Sequence, residues 1–167
     1  MIVTKDWLPG PFASVLLFAC VLSGGCAPTI YSDAEVGKTA ASISAKSTWR
    51  AFGDFRDPQK AVDGNLDTAA TTAASYDNAK LTIDLGKRCL FNMIIIDHGP
   101  GNENAFCRRV GVQVSYDGVT FRQVYATSGT RRITYCTLIT PTRARYVRLA
   151  AIVPGDRPWS IAEVYLQ

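Results

Sequence analysis

Apolar and polar residues alternate with a period of two along much of the chain that follows residue 40. Neighbouring side chains of a half-buried strand point to opposite faces of a sheet, so this period predicts β-strands. The alternating segments are residues 81–85, 110–114, 146–150 and 162–166, and residues 131–139 add a stretch rich in Thr, Ile and Tyr. No long helical period follows the first 26 residues.

Three segments depart from simple alternation. Residues 91–96 are apolar almost throughout, which predicts a central strand covered on both faces. Asp117-Gly118 separates two strand-like segments and predicts a hairpin turn. Residues 57–62 predict a short helix, with Asp57 as its N-cap and Pro58 in its first position. Seven or eight short strands separated by turn residues predict an all-β antiparallel sandwich or barrel.

The first 26 residues have the pattern of an export signal. Lys5 lies in a short polar start, and residues 12–22 form an apolar run that is too short to span a bilayer as a helix. The residues before Cys26 resemble a bacterial lipobox with one extra glycine, and Cys20 is a poorer candidate for lipidation. Secretion after cleavage near Ala27 is the alternative.

This pattern sets the expected organisation of the chain. We expect a signal peptide over residues 1–25, a tether over residues 26–40 that is lipidated at Cys26, and one domain over residues 41–167. The expected location is the bacterial cell envelope, with the chain attached to the membrane through its lipid anchor as an outer-membrane lipoprotein.

The composition leaves little material for catalysis. The 167 residues include one His, three Glu and five Cys, and the net charge is +4. No nucleophile, metal-protease or phosphate-binding motif is present, so we expect no enzyme. The export signal argues against nucleic acid as a partner. Cys89, Cys107 and Cys136 follow the export signal and can form at most one disulfide among themselves, and the sequence does not choose the pair.

Five segments, in order and spacing, resemble discoidin domains, also called coagulation-factor five/eight C-type domains. The quoted elements are Ala-x-Asp-Gly-x-x-x-Thr at residues 61–68, Leu-x-Ile-Asp-Leu-Gly at 81–86 and Val-Ser-x-Asp-Gly at 114–118, followed by residues 144–149 and 160–166. The Trp that commonly follows the first element is absent, and Lys80 replaces the Trp before the second. The resemblance implies a jelly-roll β-sandwich of about eight strands. Bacterial members are often family 32 carbohydrate-binding modules.

The resemblance also implies one structural Ca²⁺. Its expected side-chain ligands are Asp63, Asn65, Thr68 and Glu163, with backbone carbonyls from near Lys60 and Ala162. All are oxygen donors, which Ca²⁺ prefers, and Glu163 is expected to face outward on the last strand. An Asx-type turn without metal is the alternative for the Asp63 loop.

Loops at one end of such a sandwich carry recognition, and three segments here hold suitable side chains. Sugar binding combines an aromatic plate with planar polar groups. The candidate residues are Trp49, Arg50, Phe52, Phe55, His98, Asn102, Asn104, Arg108, Arg109 and Trp159. The alternatives are that the aromatic residues fill the core, that His98 bonds a backbone carbonyl, and that Arg108 or Arg109 pairs with Glu103.

These observations predict a non-catalytic, membrane-anchored binding module that recognises carbohydrate through loops at one end of the sandwich. The alternative is a protein-interaction or assembly subunit of a bacterial envelope complex with no sugar ligand.

Overall fold

The computed structural model describes residues 42–167. The predicted signal peptide (1–25), the lipidation site Cys26 and the tether (26–40) lie outside the described residues. Within residues 42–167 no helix has the length and apolar character needed to cross a membrane.

The described chain is built from strands, as the alternation predicts. Two 3-10 helices, Lys46–Thr48 and Pro58–Val62, are the helical segments of this part of the chain. The strands are β1 Arg50–Gly53, β2 Phe55–Arg56, β3 Ala70–Thr72, β4 Lys80–Asp97, β5 Arg109–Ser115, β6 Arg122–Ser128, β7 Ile133–Val153, β8 Ser160–Ile161 and β9 Glu163–Leu166.

All strand pairs are antiparallel, and they form two sheets. The larger sheet has six strands in the order β1-β4-β7-β5-β6, with β9 also paired to β4, and the smaller sheet has the order β2-β3-β8. The nine strands of residues 42–167, three of them of only two or three residues, agree with the expected sandwich of about eight strands. The all-β antiparallel prediction is confirmed.

The two long strands, β4 and β7, each have a first part and a second part that pair with different strands. The first half of β4 pairs with β1 and with the second half of β7, and its second half pairs with β9 and the first half of β7. The register shifts between Asp84 and Cys89 and again between Phe91 and Met93. The two segments predicted as separate strands, 131–139 and 146–150, are therefore parts of one strand. Pro141 lies where β7 has no partner in β4, so its missing N–H costs no ladder bond.

The register defines two ends of this sandwich. Lys80 pairs with Ala150 and Arg109 pairs with Val153, so the start of β4 and the start of β5 lie at the same end. Residues 53–57, 73–79, 98–108 and 154–158 lie here, and we call this the loop end. The other end holds the register shifts of β4 and β7 and the β5–β6 turn. We call it the bend end and define it as residues 85–90, 115–122 and 138–143.

The hydrophobic core fills the space between the two halves. Leu81, Ile83 and Leu85 of β4 are fully buried, and so are Val110 and Val112 of β5, which confirms that these apolar positions belong to the core. Thr82 and Gly111 between them are buried as well, so both faces of these strands are covered there. The predicted hairpin is also confirmed, because β5 and β6 pair on either side of Asp117-Gly118.

Two details of the sequence prediction are wrong. Residues 91–96 form a central strand with partners on both sides, but Asn92 is exposed and Ile95 is half-buried, so one face is only partly covered. The segment after Asp57 is a 3-10 helix, and Asp57 makes no side-chain capping bond. Its carboxylate instead pairs with Lys60 at 2.9 Å.

Candidate functional site

Backbone and side-chain hydrogen bonds tie the loops of the loop end to one another. Ser75 donates its hydroxyl to the Gly155 carbonyl, and the Tyr76 hydroxyl lies 3.4 Å from the Asp54 carbonyl. Ser160 N–H bonds the Ala105 carbonyl at 2.8 Å. Segments that are far apart in the sequence therefore form one continuous surface.

Two glycines allow this close approach. A Cβ at Gly129 would collide with the Cys107 carbonyl, and a Cβ at Gly155 would collide with the Phe106 carbonyl. Residues 106–107 are therefore held between two backbone segments that any side chain would push away.

The exposed side chains of the loop end combine one aromatic ring with planar polar groups. Tyr76 is exposed and lines a shallow depression together with Ser75, Gly155 and Arg157. The pKa of Tyr76 is raised by its partial burial and by the neighbouring Asp54 carboxylate. Beside Gly155, Arg108 and Asp156 form an exposed ion pair at 2.7 Å. The depression has no room for a water-sized sphere, so a ligand would lie on the surface above it rather than inside it.

Four of the predicted ligand residues are buried in the interior. Trp49, Phe55 and Trp159 belong to the hydrophobic core, and the rings of Phe55 and Trp159 meet edge to face with centroids 5.4 Å apart. These aromatic side chains fill the interior and have no surface with which to stack a sugar, so their assignment to the ligand surface is corrected.

His98 is the fourth. Its Nδ1 lies 2.7 Å from the Ser160 carbonyl and its Nε2 lies 3.2 Å from Thr134 Oγ1. Burial lowers the pKa of His98 despite the opposing Ser160 bond. A neutral imidazole donating from Nδ1 and accepting at Nε2 satisfies both contacts, so His98 serves the structure and not a ligand.

A partly buried ion pair next to His98 fixes the base of the 98–108 loop. Asp97 pairs with Arg132, with 3.0 Å between Oδ1 and Nε and 3.3 Å between Oδ2 and Nη2. The same carboxylate accepts the Gly99 N–H at 2.8 Å. Arg132 has a positive φ of 64°, and its N–H bonds the Glu103 carbonyl. We refer to Asp97, His98, Arg132 and Thr134 as the polar hub.

The remaining predicted ligand residues are accessible to different degrees. Arg50 and Phe52 are exposed, but they lie along β1, on one face of the strand, rather than on a loop tip. Asn104, Arg108 and Arg109 are exposed in or just after the 98–108 loop, and Asn102 is half-buried beside Gly99. Arg108 pairs with Asp156 instead of Glu103.

The predicted metal loop is compact. Asp63 accepts the Asn65 N–H at 2.8 Å and the Thr68 hydroxyl at 2.7 Å, so all three predicted loop ligands are brought together. A Cβ at Gly99 would touch both the Leu66 carbonyl and the Ala162 side chain, which places this loop beside the residue before Glu163.

Glu163 differs from its prediction. It does not face solvent: it is fully buried and forms an ion pair with Lys46, with 2.7 Å between Nζ and Oε1. Its Oε2 is buried and has no hydrogen-bond partner among the described residues. Within residues 42–167 no cluster of three or more His, Cys, Asp or Glu side chains is placed to hold a metal ion. The predicted set contains only two such side chains and is completed by Asn65, Thr68 and carbonyls. An orphaned carboxylate oxygen beside a loop of oxygen donors fits the chemistry of Ca²⁺.

The three cysteines of the described region are free and buried. Burial raises the pKa of Cys107 and of Cys136 to about 12, so both are protonated thiols at neutral pH.

Sequence reasoning missed Tyr76 at the loop end, because residues 73–79 carry no period and no motif. Asp156 begins one of the three segments considered for recognition, but nothing in the sequence marked it as the ion-pair partner of Arg108.

The structure thus defines a β-sandwich with a polar and aromatic surface at one end. The sequence profile of the F5/8 type C domain matches residues 40–164. The chain belongs to the F5/8 type C domain family, which confirms the resemblance to discoidin domains. No curated protein sequence gives a significant match.

Several solved structures share the fold. One is CpGH89CBM32-5 from Clostridium perfringens in complex with GalNAc-β-1,3-galactose, with 20% identity and a TM-score of 0.65 over 72% of this chain and 96% of that one. Another is the family 32 CBM of C. perfringens NanJ in complex with galactose, with 21% identity, a TM-score of 0.64 and coverage of 72% and 94%. A third is chitosan-binding module 1 of a chitosanase/glucanase from Paenibacillus sp. IK-5, with 25% identity, a TM-score of 0.62 and coverage of 75% and 98%.

Proposed function

We propose that this chain is a non-catalytic module that binds carbohydrate at the loop end. The observation that carries the proposal is the exposed ring of Tyr76 beside Arg157 and the Arg108–Asp156 pair, on a fold shared with carbohydrate-binding modules. The buried candidates Trp49, Phe55, His98 and Trp159 are left out of this surface.

The chemistry of the surface suits a sugar. A pyranose ring presents an apolar face that packs on an aromatic ring, and its neighbouring hydroxyls pair with planar groups such as guanidinium and carboxylate. Tyr76 supplies the ring, and Arg108, Asp156, Arg157 and Asn104 supply the planar groups. Because the surface is shallow, it suits the exposed units of a glycan chain rather than an enclosed monosaccharide.

A titration calorimetry series tests this function. The ligands are galactose, GalNAc-β-1,3-galactose and chitosan oligosaccharides, because related modules carry these names in their solved complexes or descriptions. We expect Tyr76→Ala and Arg108→Ala to weaken binding at least about tenfold, which corresponds to ~1.4 kcal/mol. Tyr135→Ala is the matched control, because Tyr135 is an exposed aromatic residue of β7 outside the loop end.

Two outcomes would overturn the proposal. Loss of binding in Tyr135→Ala but not in Tyr76→Ala would move the site elsewhere. No binding of any glycan, together with stoichiometric capture of an envelope protein by the intact chain, would favour the assembly subunit.

The cell-envelope location is also a proposal, supported by the export pattern before residue 27. We expect mass spectrometry of the chain purified from a bacterial host to find a lipid on Cys26. A Cys26→Ser chain should be found in the soluble fraction. An unmodified Cys26 and a free N-terminus near Ala27 would instead favour secretion.

We also propose a calcium site at the loop of residues 63–68. Asp63, Asn65, Thr68 and the unpartnered Oε2 of Glu163 would hold the ion, which would brace the loop against β9. The Lys46 ammonium already pairs with the Glu163 carboxylate in the structure. Calcium would therefore compete with Lys46 for the carboxylate.

Thermal melting with and without calcium tests this site. Calcium at about 100 times its dissociation constant would add ~2.7 kcal/mol of stability. We expect a rise in melting temperature for the wild type, a larger rise for Lys46→Met, and none for Glu163→Gln. Glu103→Gln, which changes an acidic residue in the separate 98–108 loop, is the control and should respond like the wild type. A wild-type melting curve that ignores both chelator and added calcium would rule the site out.

A further inference from the structure

One row of side chains crosses the larger sheet from edge to edge. The register places Phe52 of β1 opposite Thr82 of β4, and Thr82 opposite Arg148 of β7. Arg148 is in turn opposite Gln113 of β5, and Gln113 is opposite Gln123 of β6. Paired residues of neighbouring strands share a face, so these five side chains form one line, which we call the sheet-face row. It crosses four strand spacings, or about 19 Å.

The sheet-face row points away from the core. The neighbours of its members along β4, β5 and β7 all belong to the hydrophobic core, so the members themselves lie on the outer face. Phe52 is 47% exposed and Gln123 is exposed, whereas Arg148 and Gln113 are half-buried. The row therefore presents one aromatic ring and three planar polar groups.

Arg148 is held in place at the centre of the row. Its Nε donates to Thr82 Oγ1 at 3.0 Å, and its guanidinium carbon lies 3.5 Å from the ring centroid of Phe121. The two terminal nitrogens of this guanidinium bond no group within residues 42–167. An ordered guanidinium with unused donors is prepared to bind an acceptor from outside the chain.

A second guanidinium beside the row also lacks an acidic partner. Arg50 lies opposite Asp84 in the register, two residues before Phe52 on the same face of β1. Both oxygens of Asp84 instead accept bonds from Arg145, each at 2.9 Å. Within the described part of the chain the Arg50 guanidinium bonds only the Trp49 carbonyl, at 3.3 Å. The outer face therefore holds two cations whose nearest carboxylate is already engaged.

This combination fits a chain of acidic sugars. Guanidinium groups bind carboxylates through paired hydrogen bonds, and the amides of Gln113 and Gln123 can each pair with a hydroxyl group. The ring of Phe52 suits the apolar face of a sugar ring. A protein partner would need a wider apolar centre, and Phe52 is the single large hydrophobic residue of the row.

We propose that the sheet-face row and Arg50 together bind a polysaccharide whose sugars carry carboxylates, with the polymer lying across the strands. Arg50 and Arg148 pair with carboxylates, and Phe52 packs on a sugar ring. The site assigns a ligand to Arg50 and Phe52, two residues that the sequence predicted for recognition and that the loop end does not use. It is separate from the loop end and does not depend on what the loop end binds.

Titration calorimetry of the full chain with an acidic polymer and its neutral counterpart tests the site. The probes are fragments of polygalacturonic acid and the same fragments after methyl esterification, which removes the charge of the carboxylates. We expect the acid form to bind and its affinity to fall as salt is added. The ester should bind at least about tenfold more weakly, because it cannot form charge-assisted bonds.

Variants separate the charged and aromatic contributions. Arg50→Gln with Arg148→Gln should weaken binding at least about tenfold, and Arg50→Gln alone should weaken it about threefold or more. Phe52→Ala should weaken it about threefold to tenfold. Arg88→Gln with Arg131→Gln removes two charges from exposed positions outside the row and should leave binding unchanged. Unchanged melting temperatures would show that the variants are folded.

Other results would overturn the site. Equal losses in the two arginine pairs would show that net charge alone is responsible, and equal binding of acid and ester would show that carboxylates are not recognised. Tighter binding of polyglutamate, lost in the Arg50 and Arg148 variant, would identify an acidic polypeptide as the occupant.

The loop end provides a separate comparison. Tyr76→Ala should leave binding of the acidic polymer unchanged, and the sheet-face variants should leave the calorimetry of the loop end unchanged. Loss of polymer binding in Tyr76→Ala alone would place the polymer at the loop end and overturn the sheet-face site. The two proposals therefore fail separately.

Discussion

The acidic side chains at the two ends of the sandwich have different partners. At the loop end, oppositely charged groups pair with each other: the buried Asp97 with the half-exposed Arg132, and Asp156 with Arg108 on the surface. At the bend end, Asp117 serves the backbone of its own turn, and Arg88 lies over an aromatic ring. The carboxylates of the loop end therefore join segments that are distant in the sequence, whereas Asp117 at the bend end orders only its own turn. This difference shows that ion pairs connect the segments of the loop end, while the acidic group of the opposite end acts locally.

The test with the largest expected effect replaces one aromatic residue at each end of the sandwich with alanine. Trp159 is buried against Phe55 under the loop end, so Trp159→Ala should cost about 4 kcal/mol of unfolding free energy. Tyr116 of the bend end is half-exposed, so Tyr116→Ala should cost less than about 1 kcal/mol. Urea unfolding measures both values. Similar losses would mean that the loop end does not depend on its interior.

The second test compares two ion pairs within the loop end. Asp97→Asn leaves the Arg132 guanidinium, which is 34% exposed, without its charge partner and should cost about 1.5 kcal/mol. Asp156→Asn breaks a pair whose side chains are mostly exposed and should cost less than about 0.5 kcal/mol. A small effect of Asp97→Asn would show that the polar hub does not hold the loops.

The third test uses the pH dependence of His98. Burial favours the neutral ring, so the folded-state pKa lies below the ordinary value of 6.5. Between these two pKa values the unfolded chain binds more protons, and stability must fall as the pH is lowered from about 6.5. The slope can reach about 1.4 kcal/mol per pH unit.

His98 is the single His of the sequence, which makes the assignment direct. Chemical unfolding at a series of pH values from 7 to 5 measures the slope. His98→Asn should abolish most of it, although the variant is less stable at neutral pH. The same slope in wild type and variant would assign the dependence to other groups.

The smallest expected effect is at the bend end. Bonds from the Val119 N–H, the Ser115 hydroxyl and the Thr120 N–H lower the pKa of Asp117 to about 2. Its contribution to stability is present above the ordinary pKa of 3.8 and is lost as the pH falls toward about 2. Asp117→Asn should therefore lower the melting temperature slightly at pH 5, and the difference should disappear near pH 2. A difference that persists at pH 2 would show that the carboxylate charge is not responsible.

The sequence was sufficient for most of the longer strands, because their apolar residues recur with a period of two, but the short strands β1, β2 and β3 were not predicted. Residues 81–85 and 110–114 show this, and the Asp117-Gly118 turn fixes the hairpin between β5 and β6. The union of two predicted segments in β7 could not be predicted, because Pro141 interrupts the pattern while the strand continues past it. Local patterns thus predict elements, and the register that joins them is a long-range property.

The candidate site was less predictable, since composition does not distinguish an aromatic residue of the core from one of the surface. Trp49 and Trp159 have side chains that often bind sugars, but here they fill the interior. Tyr76 is exposed, but it lies in a segment that has no hydrophobic period and no motif. Glu163 lies on the last strand and was expected to face solvent. Lys46, from the other end of the domain sequence, buries it, and only the tertiary fold could reveal that contact.

The glycines at positions 129 and 155 have a consequence for how this surface can evolve. The backbone at each glycine lies in contact with the carbonyls of residues 106–107, so neither glycine can be replaced without moving the backbone there. Side chains that project from the clamped loops, such as those of Asn104 and Arg108, carry no such restriction. New specificities could therefore arise by exchanging these side chains on an unchanged frame, without the insertions and deletions that reshape most recognition loops.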